Sequence, residues 1–538
     1  MPEQLRPRLL PDGSRASAGG TKWAVTSPHA AATAAGASIL AAGGTAADAA
    51  VAVGSTLSVV YPHMTGIGGD LFALYFDVAS DSVFAYDGAG AAGALATREF
   101  YARSGLNAIP ERGPASALTV PGAVDAWFAL RERFGSMDMP RLVASSIALA
   151  REGAPVARSV ARALHEEREL LDADEGARAA YGSSRAGSAL LVQPALARTL
   201  ESIGARGRAW FYEGEGAATI DGYCARVGSP LRASDLARHR GAWVDPIRTG
   251  FIDYDSLTTS PPSQGLALLI AQSIYETFAG RSSADDVSAA FVHTAVEATR
   301  LAYADRDAFV CDPRYRPVPV DRLLARDRIR DLASRIDPDR AADGATGVAD
   351  LGGTTYFACV DARGNAVSVI QSIYQHFGSC VVVPELGVAL HNRGCWFTLD
   401  EDRPRSLAPG RRPFHTLIAN MLVRGGKPQV VYGSMGGDAQ PQVGLSLSIR
   451  IGQHGMDPQA AIERPRWRWS NATDQELVVE RRVGAACIEG LRARGHRVGV
   501  TDDWDEAMGH AGAIVIDRDR GIILAGTDPR SDGLALAG

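Results

Sequence analysis

A chain of 538 residues, 46% hydrophobic and 22% charged, has ordinary globular composition and enough length to bury a large core. Its net charge is −6, from 55 basic and 61 acidic side chains, and no basic run stands out, so nothing in it favours nucleic acid. No stretch of about 18 apolar residues occurs, and no transmembrane helix is expected.

Residues 1–22 read as a loose leader without the apolar core of a secretory signal, so a cytoplasmic location is expected. A short strand is predicted at 22–27 and an Ala-rich helix at 29–42, stopped by Gly43-Gly44. A second helix is predicted at 45–60, with Thr45 as N-cap and Asp48 as its acidic partner. Its small residues on both faces suit close packing against a sheet. The turn YPHMTGIGGD (61–70) leads into strands at 71–76 and 82–86. Its glycines follow a helix and precede a strand, which is the wrong order for a dinucleotide fingerprint.

Residues 94–250 read as mainly helical, with helices at 97–103, 122–134, 140–152, 159–171 and 193–204. Interleaved charges mark their solvated faces. The aromatic run Trp210-Phe211-Tyr212 reads as core. Residues 257–260 enter the turn PPSQG (261–265), followed by helices at 266–279 and 287–309. Residues 337–350 are polar and read as an exposed loop, suited equally to a cut or to an inert linker. Beyond 374, strands are predicted at 381–383, 387–390, 417–423, 429–432, 513–515 and 521–525, with helices at 441–452 and 484–494. The six cysteines lack CxxC or His pairing and read as buried, reduced small hydrophobes. No metal site and no cofactor are expected.

The stretch DLGGTTYFACVDARGNAVSVIQSIY (350–374) reads as a β-hairpin around the turn DARGN. Taken alone, its Gly-Gly-Thr-Thr entrance is open to two readings. It is an ordinary polar hairpin mouth, or Thr354 becomes a new N-terminus whose hydroxyl attacks a carbonyl. A Thr hydroxyl needs an adjacent base, and a freed α-amine with a pKa of about 7.7–8.0 supplies one from the same residue.

Four segments in order, GGTAADAAVAVGSTLSVVYPHMTGIGGDLFALYFD (43–77), TTYFACVDARGNAVSV (354–369), VYGSMGGD (431–438) and GTDPRSDG (526–533), resemble the gamma-glutamyltransferase family. The resemblance implies an N-terminal nucleophile (Ntn) hydrolase. Its fold would be an α+β, four-layer αββα sandwich with additional helices in the large chain. It implies self-cleavage between Gly353 and Thr354 into chains 1–353 and 354–538 that stay together as a heterodimer, and it leaves a homodimer of that pair open. It further implies Thr354 as nucleophile, Ser372 as a nearby hydroxyl, and the backbone N–H groups of Gly436 and Gly437 as oxyanion donors. Without the resemblance, the glycine pair reads equally as a plain turn and Ser372 as an ordinary strand serine.

The family's clamp for the α-carboxylate and α-ammonium of a gamma-glutamyl group is rewritten here. Its Arg position falls on Ala89. Its Asn-Asn-Gln-x-x-Asp run becomes HNRGCW (391–396), keeping Asn392 and putting Trp396 in place of the Asp. Tyr374 stands for a further Asn, and His415-Thr416 for a Ser pair. A site without the ammonium's carboxylate partner rejects an amino-acid head group, because that charge is left unpaired on desolvation. Arg393, His415, Thr416, Tyr374, Asn392 and Trp396 suit instead a small planar carboxylic acid, which an arginine grips in bidentate fashion. For His415 and Trp396, plain core packing stays open. YPHMTGIGGD, HNRG and RRPFHTL resemble the branch with oxamate amidohydrolases and with oxalyl-clipping relatives from alkylproline-antibiotic pathways. Amide and C–C cleavage are both open here. So are a true gamma-glutamyl hydrolase or transferase and an unprocessed relative without catalysis.

Overall fold

The hairpin expected around DARGN forms. Its strands are Gly353–Val360 and Ala366–Tyr374. They lie in the middle of a seven-stranded antiparallel sheet with the spatial order Leu534–Ala537, Ala24–Ser27, Gly353–Val360, Ala366–Tyr374, Asp70–Asp77, Ser82–Asp87, Ala242–Val244. A second seven-stranded antiparallel sheet runs Ala18–Gly20, Ile522–Thr527, Ala511–Asp517, Lys427–Ser434, Asn420–Arg424, Tyr254–Thr258, Ile247–Phe251. Below, Asp70–Asp77 is β1, Gly353–Val360 β2, Ala366–Tyr374 β3 and Lys427–Ser434 β4. The computed structural model describes residues 15–185, 187–280, 285–342, 352–470 and 476–538.

Alternation along the strands sends side chains to two faces, and both faces are buried. Tyr356, Ala358 and Val360 of β2 meet Leu417, Met421, Val431 and Ile514 of the other sheet. Phe357 and Cys359 point the opposite way, into a helical layer that includes α1 (Ala46–Val60). On the outer face of the second sheet lie α2 (Gly265–Ala279), α3 (Ala289–Phe309) and α4 (Ala439–Leu447). The layers are therefore helix, sheet, sheet, helix, which is the expected αββα sandwich. Extra helices, among them Pro194–Arg206 and Glu215–Val227, extend the first helical layer.

The α1 expectations hold in detail. Thr45 Oγ1 accepts from the Asp48 N–H at 3.2 Å, and Asp48 Oδ2 accepts from the Thr45 N–H at 2.9 Å, a capping box. All its residues are buried. At Gly54 an added Cβ would stand 2.8 Å from Gln371 Oε1 and 3.0 Å from Trp127 Nε1, so only glycine lets the helix lie this close to β3.

Several boundaries differ. The helix expected at 140–152 breaks at Val143 into Met139–Leu142 and Ala144–Glu152, and the one at 159–171 divides into Arg158–Glu166 and Arg168–Ala173. The helix at 441–452 loosens into a wider turn over Ser448–Gln453. The strands at 381–383 and 387–390 form only a two-residue ribbon. All six cysteines are free and buried or half-buried. Residues 337–340 are exposed, as expected of the loop before the hairpin, while 343–351 and the first 14 residues of the leader lie outside the described residues. Among the described residues, no helix is long and apolar enough to cross a membrane.

Candidate active site

Thr354 is fully buried at the head of β2, where the pairing with β3 slips. Gly353 lies opposite Tyr374 and Thr355 opposite Gln371, so β3 carries one extra residue between these pairs. The slip turns Thr354 toward Ser372. Thr354 Oγ1 is 2.6 Å from the Gly353 carbonyl oxygen and 3.2 Å from Ser372 Oγ. Ser372 Oγ donates to the same carbonyl at 2.6 Å and accepts from the Tyr374 N–H at 2.7 Å. Thr355 instead donates to the Gln371 carbonyl at 2.9 Å.

Two backbone features hold this corner. Gly353 does not use glycine's left-handed freedom. What it needs is space, because an added Cβ would meet Met64 Sδ and the Tyr374 carbonyl oxygen, each at 3.1 Å. Tyr374 does adopt a left-handed φ of +80°, an uncommon state for a bulky residue that costs on the order of 1–3 kcal/mol.

The Arg393 guanidinium covers the Tyr374 ring, 3.9 Å from its centroid. Arg393 is 1% exposed. Its Nη2 donates to Thr416 Oγ1 at 2.8 Å, and its Nη1 is buried without a hydrogen-bond partner. Among the described residues, none of the ion pairs involves Arg393, so a buried cation stands there without a carboxylate. Thr416 is tied to the part of the chain before Gly353 by Gln264, which donates to the Thr416 carbonyl at 2.9 Å and to the Gly437 carbonyl at 3.0 Å. Arg306 Nη1 donates to Gln264 Oε1 at 2.9 Å and to Asp438 Oδ1 at 2.7 Å. An unbroken run of contacts therefore leads from Gly353 through Tyr374, Arg393, Thr416 and Gln264 to Gly437. Gly436 and Gly437 have φ of +127° and +53°, which a side chain would resist, and they open the turn into α4.

A buried carboxylate that no local motif marks completes the cluster. Asp70 lies opposite Ser372 in the β1–β3 register, so both side chains share one face. Its Oδ1 accepts from the Gly90 and Gly122 N–H groups, each at 3.1 Å. Its Oδ2 stands 3.3 Å from His415 Nε2 and 3.4 Å from His391 Nδ1, without hydrogen-bond alignment to either. Burial pushes the Asp70 carboxyl up, but the two imidazoles and the Gly90 N–H outweigh it and hold it below the usual range. Burial pulls His415 down to about 4 against the attraction of Asp70, so it is neutral at pH 7 with both ring nitrogens unpartnered.

The other expected residues are placed as follows. Asn392 is fully engaged, with Nδ2 donating to the Glu111 carbonyl at 2.6 Å and to Gln375 Oε1 at 2.7 Å, and Oδ1 accepting from the Gln375 N–H at 3.2 Å. Trp396 ends the same one-turn helix as Arg393. Its ring centroid is 5.0 Å from that of Phe414, and its indole N–H is buried without a partner. Ala89 is buried, and the loop around it is anchored by Arg412, which pairs with both Asp87 and Asp312. Gln264 belongs to the PPSQG turn, whose residues signal locally only the break before α2. Nothing local marks Asp70, Gln264 or Arg412 as members of the site, because their partners come from distant segments.

An αββα sandwich of two packed antiparallel sheets is the architecture of the Ntn hydrolases. Residues 32–538 match the family model described as gamma-glutamyltranspeptidase, and the chain belongs to that enzyme family. It is 39% identical over 523 residues to the glutathione hydrolase-like YwrD proenzyme of Bacillus subtilis, covering 96% of this chain and 98% of that one. It is 40% identical over 527 residues to the oxamate amidohydrolase proenzyme of Klebsiella pneumoniae, with 96% and 98% covered. A cephalosporin acylase from Bacillus halodurans has a crystal structure that superposes with a TM-score of 0.91 at 32% identity, over 99% of both chains.

Proposed function

We propose that this enzyme cuts itself between Gly353 and Thr354 and then hydrolyses a small α-keto- or oxalyl-type acid or its amide, not glutathione. The observation that carries the substrate half is Arg393, a buried guanidinium with one unpartnered nitrogen and, among the described residues, no ion pair to a carboxylate. Such a charge is costly unless a ligand supplies the anion.

For processing, Thr354 Oγ attacks the Gly353 carbonyl carbon. The oxygen that becomes negative is the one Ser372 Oγ already contacts at 2.6 Å. The C–N bond breaks and its nitrogen takes the hydroxyl proton. Water then hydrolyses the resulting ester, leaving chains of 353 and 185 residues. In turnover, the freed α-amine of Thr354 accepts the Oγ proton, so activity rises with pH through about 7.7–8.0. The Gly436 and Gly437 N–H groups are the oxyanion donors, each contributing on the order of 2.7–4 kcal/mol. Arg393 holds the substrate carboxylate, with neutral His415 and Thr416 lining the same corner. With oxamate, the amide nitrogen leaves as ammonia and water releases oxalate from Thr354. This is the reaction named for the oxamate amidohydrolase proenzyme of Klebsiella pneumoniae, to which the chain is 40% identical.

A second reading, action on gamma-glutamyl compounds, is favoured by Asp70, whose Oδ2 accepts no hydrogen bond and could face an ammonium group. One experiment separates the two. After processing is verified by intact mass, ammonia release from oxamate is compared with p-nitroaniline release from gamma-glutamyl-p-nitroanilide. Preference for oxamate supports the proposal, and turnover of the gamma-glutamyl substrate at a committed transpeptidase's rate overturns it.

A further inference from the structure

Away from this site, His293 and Glu297 stand one turn apart on α3, and His496 reaches them from beyond the helix Ala485–Ala493. His293 Nδ1 is 2.8 Å from His496 Nε2, and one ligand atom from each of the three residues lies within 4.8 Å of the others. His293 and Glu297 are buried and His496 is half-buried, so the cluster is reachable from one side.

The surrounding bonds orient these groups as ligands. His293 Nε2 is 2.7 Å from the Asp337 carbonyl oxygen. A carbonyl only accepts, so Nε2 carries the proton and Nδ1 presents its lone pair toward His496. A second-ring-nitrogen bond of this kind is what fixes the tautomer of a metal-binding histidine. The Glu297 carboxylate is aimed by Arg300 Nε at 3.0 Å and by the Ala342 N–H at 3.2 Å. Two imidazoles and one carboxylate form the donor set of a borderline divalent ion, with a fourth position open to water.

We infer that His293, Glu297 and His496 form a binding site for a Zn²⁺-type divalent cation that ties residues before Thr354 to residues after it. On binding, the proton on His496 Nε2 moves to its other ring nitrogen, so no net proton is lost. The same residues secure the segment leading toward Gly353. Asp337 is bonded to His293, Ala342 to Glu297, and Ala341 to the Arg494 carbonyl at 2.7 Å. The site itself stands on geometry alone, and only its stapling of two separate chains rests on the proposed processing.

Untagged protein, stripped with chelator and gel-filtered, is titrated with Zn²⁺ and separately with Co²⁺. About one equivalent retained per chain, with cobalt d–d absorption in the visible, is expected. His496→Ala and Glu297→Gln each should bind at least tenfold more weakly and lose the cobalt spectrum. Failure of the wild-type protein to retain metal, or equal uptake by both variants, overturns the site. Uncut Thr354→Ala protein should bind equally, which keeps the site's test independent of catalysis. In the processed enzyme, Zn²⁺ should slow separation of the two chains in mild urea at least severalfold. Binding without that slowing overturns the staple.

Discussion

Replacing Arg393 with methionine separates a ligand-binding arginine from a structural one. In the ligand-free protein the change removes one charge-assisted hydrogen bond to Thr416, about 1.5–3 kcal/mol, and the contact over Tyr374, about 0.5–2 kcal/mol. It also removes a desolvated cation that has no ion-pair partner among the described residues, which returns several kcal/mol. These effects oppose one another, so the ligand-free melting temperature should change little. With substrate, the variant loses one side of a buried charge pair, about 2–5 kcal/mol. At 3 kcal/mol and about 1.36 kcal/mol per decade, kcat/KM on oxamate should fall by roughly 150-fold. A ligand at a hundred times its Kd stabilises by about 2.7 kcal/mol, so oxalate should raise the wild-type melting temperature clearly. In the variant the same concentration is below Kd, and the gain drops to about 0.3 kcal/mol. Calorimetry with and without oxalate reads both effects. If the variant keeps the oxalate shift, or melts far below wild type without ligand, Arg393 is structural and the substrate argument fails.

Ser372→Ala should slow processing about 100-fold or more, seen as persistent full-length precursor in intact mass spectra, because the Gly353 carbonyl loses its donor. Normal processing in that variant would remove Ser372 from the scheme. Asp70→Asn keeps the acceptor for Gly90 and Gly122 but loses the charge facing His415 and His391. It should lower the denaturation midpoint by the equivalent of about 1–3 kcal/mol and reduce kcat/KM, and a neutral outcome in both would make the carboxylate dispensable. Burial also holds His239 and His510 at about 4 in the fold, like His415, whereas unfolded they titrate near 6.5. The unfolded chain therefore binds more protons between these values. Stability is full above about pH 6.5 and falls as pH drops toward 4, by on the order of 3 kcal/mol per histidine. Denaturant midpoints that stay level from pH 7.5 to 4.5 would refute this.

What was legible in the sequence was what local pattern encodes. Thr45 with Asp48 announces α1, and the β-prone runs either side of DARGN announce the central hairpin. The four ordered motifs carried the layer architecture, which residue pattern alone would not have fixed. Strands of a few residues, such as Ala242–Val244, were missed because pairing partners define them more than their own residues do. Val143 and Glu167, where expected helices break, carry no Gly or Pro to mark the ends. Site residues divide the same way. Thr354 and Ser372 meet across adjacent strands of one hairpin, but their roles came from the family resemblance, since alone they read as a hairpin mouth and a strand serine. Asp70 read as the last residue of a glycine-rich turn, and only the β1–β3 register sets it beside Ser372. His293 and Glu297 have helical spacing, but their third partner, His496, comes from the far end of the chain.

The central claim is that the α-amine and hydroxyl of Thr354 carry out the reaction on an oxalyl-type carbonyl. The most direct measurement is rapid-quench mass spectrometry of the small chain during oxamate turnover. An oxalyl ester on the peptide that begins at Thr354, disappearing as substrate is exhausted, is the predicted result. Turnover with no adduct there, or with the adduct on another residue, would contradict it.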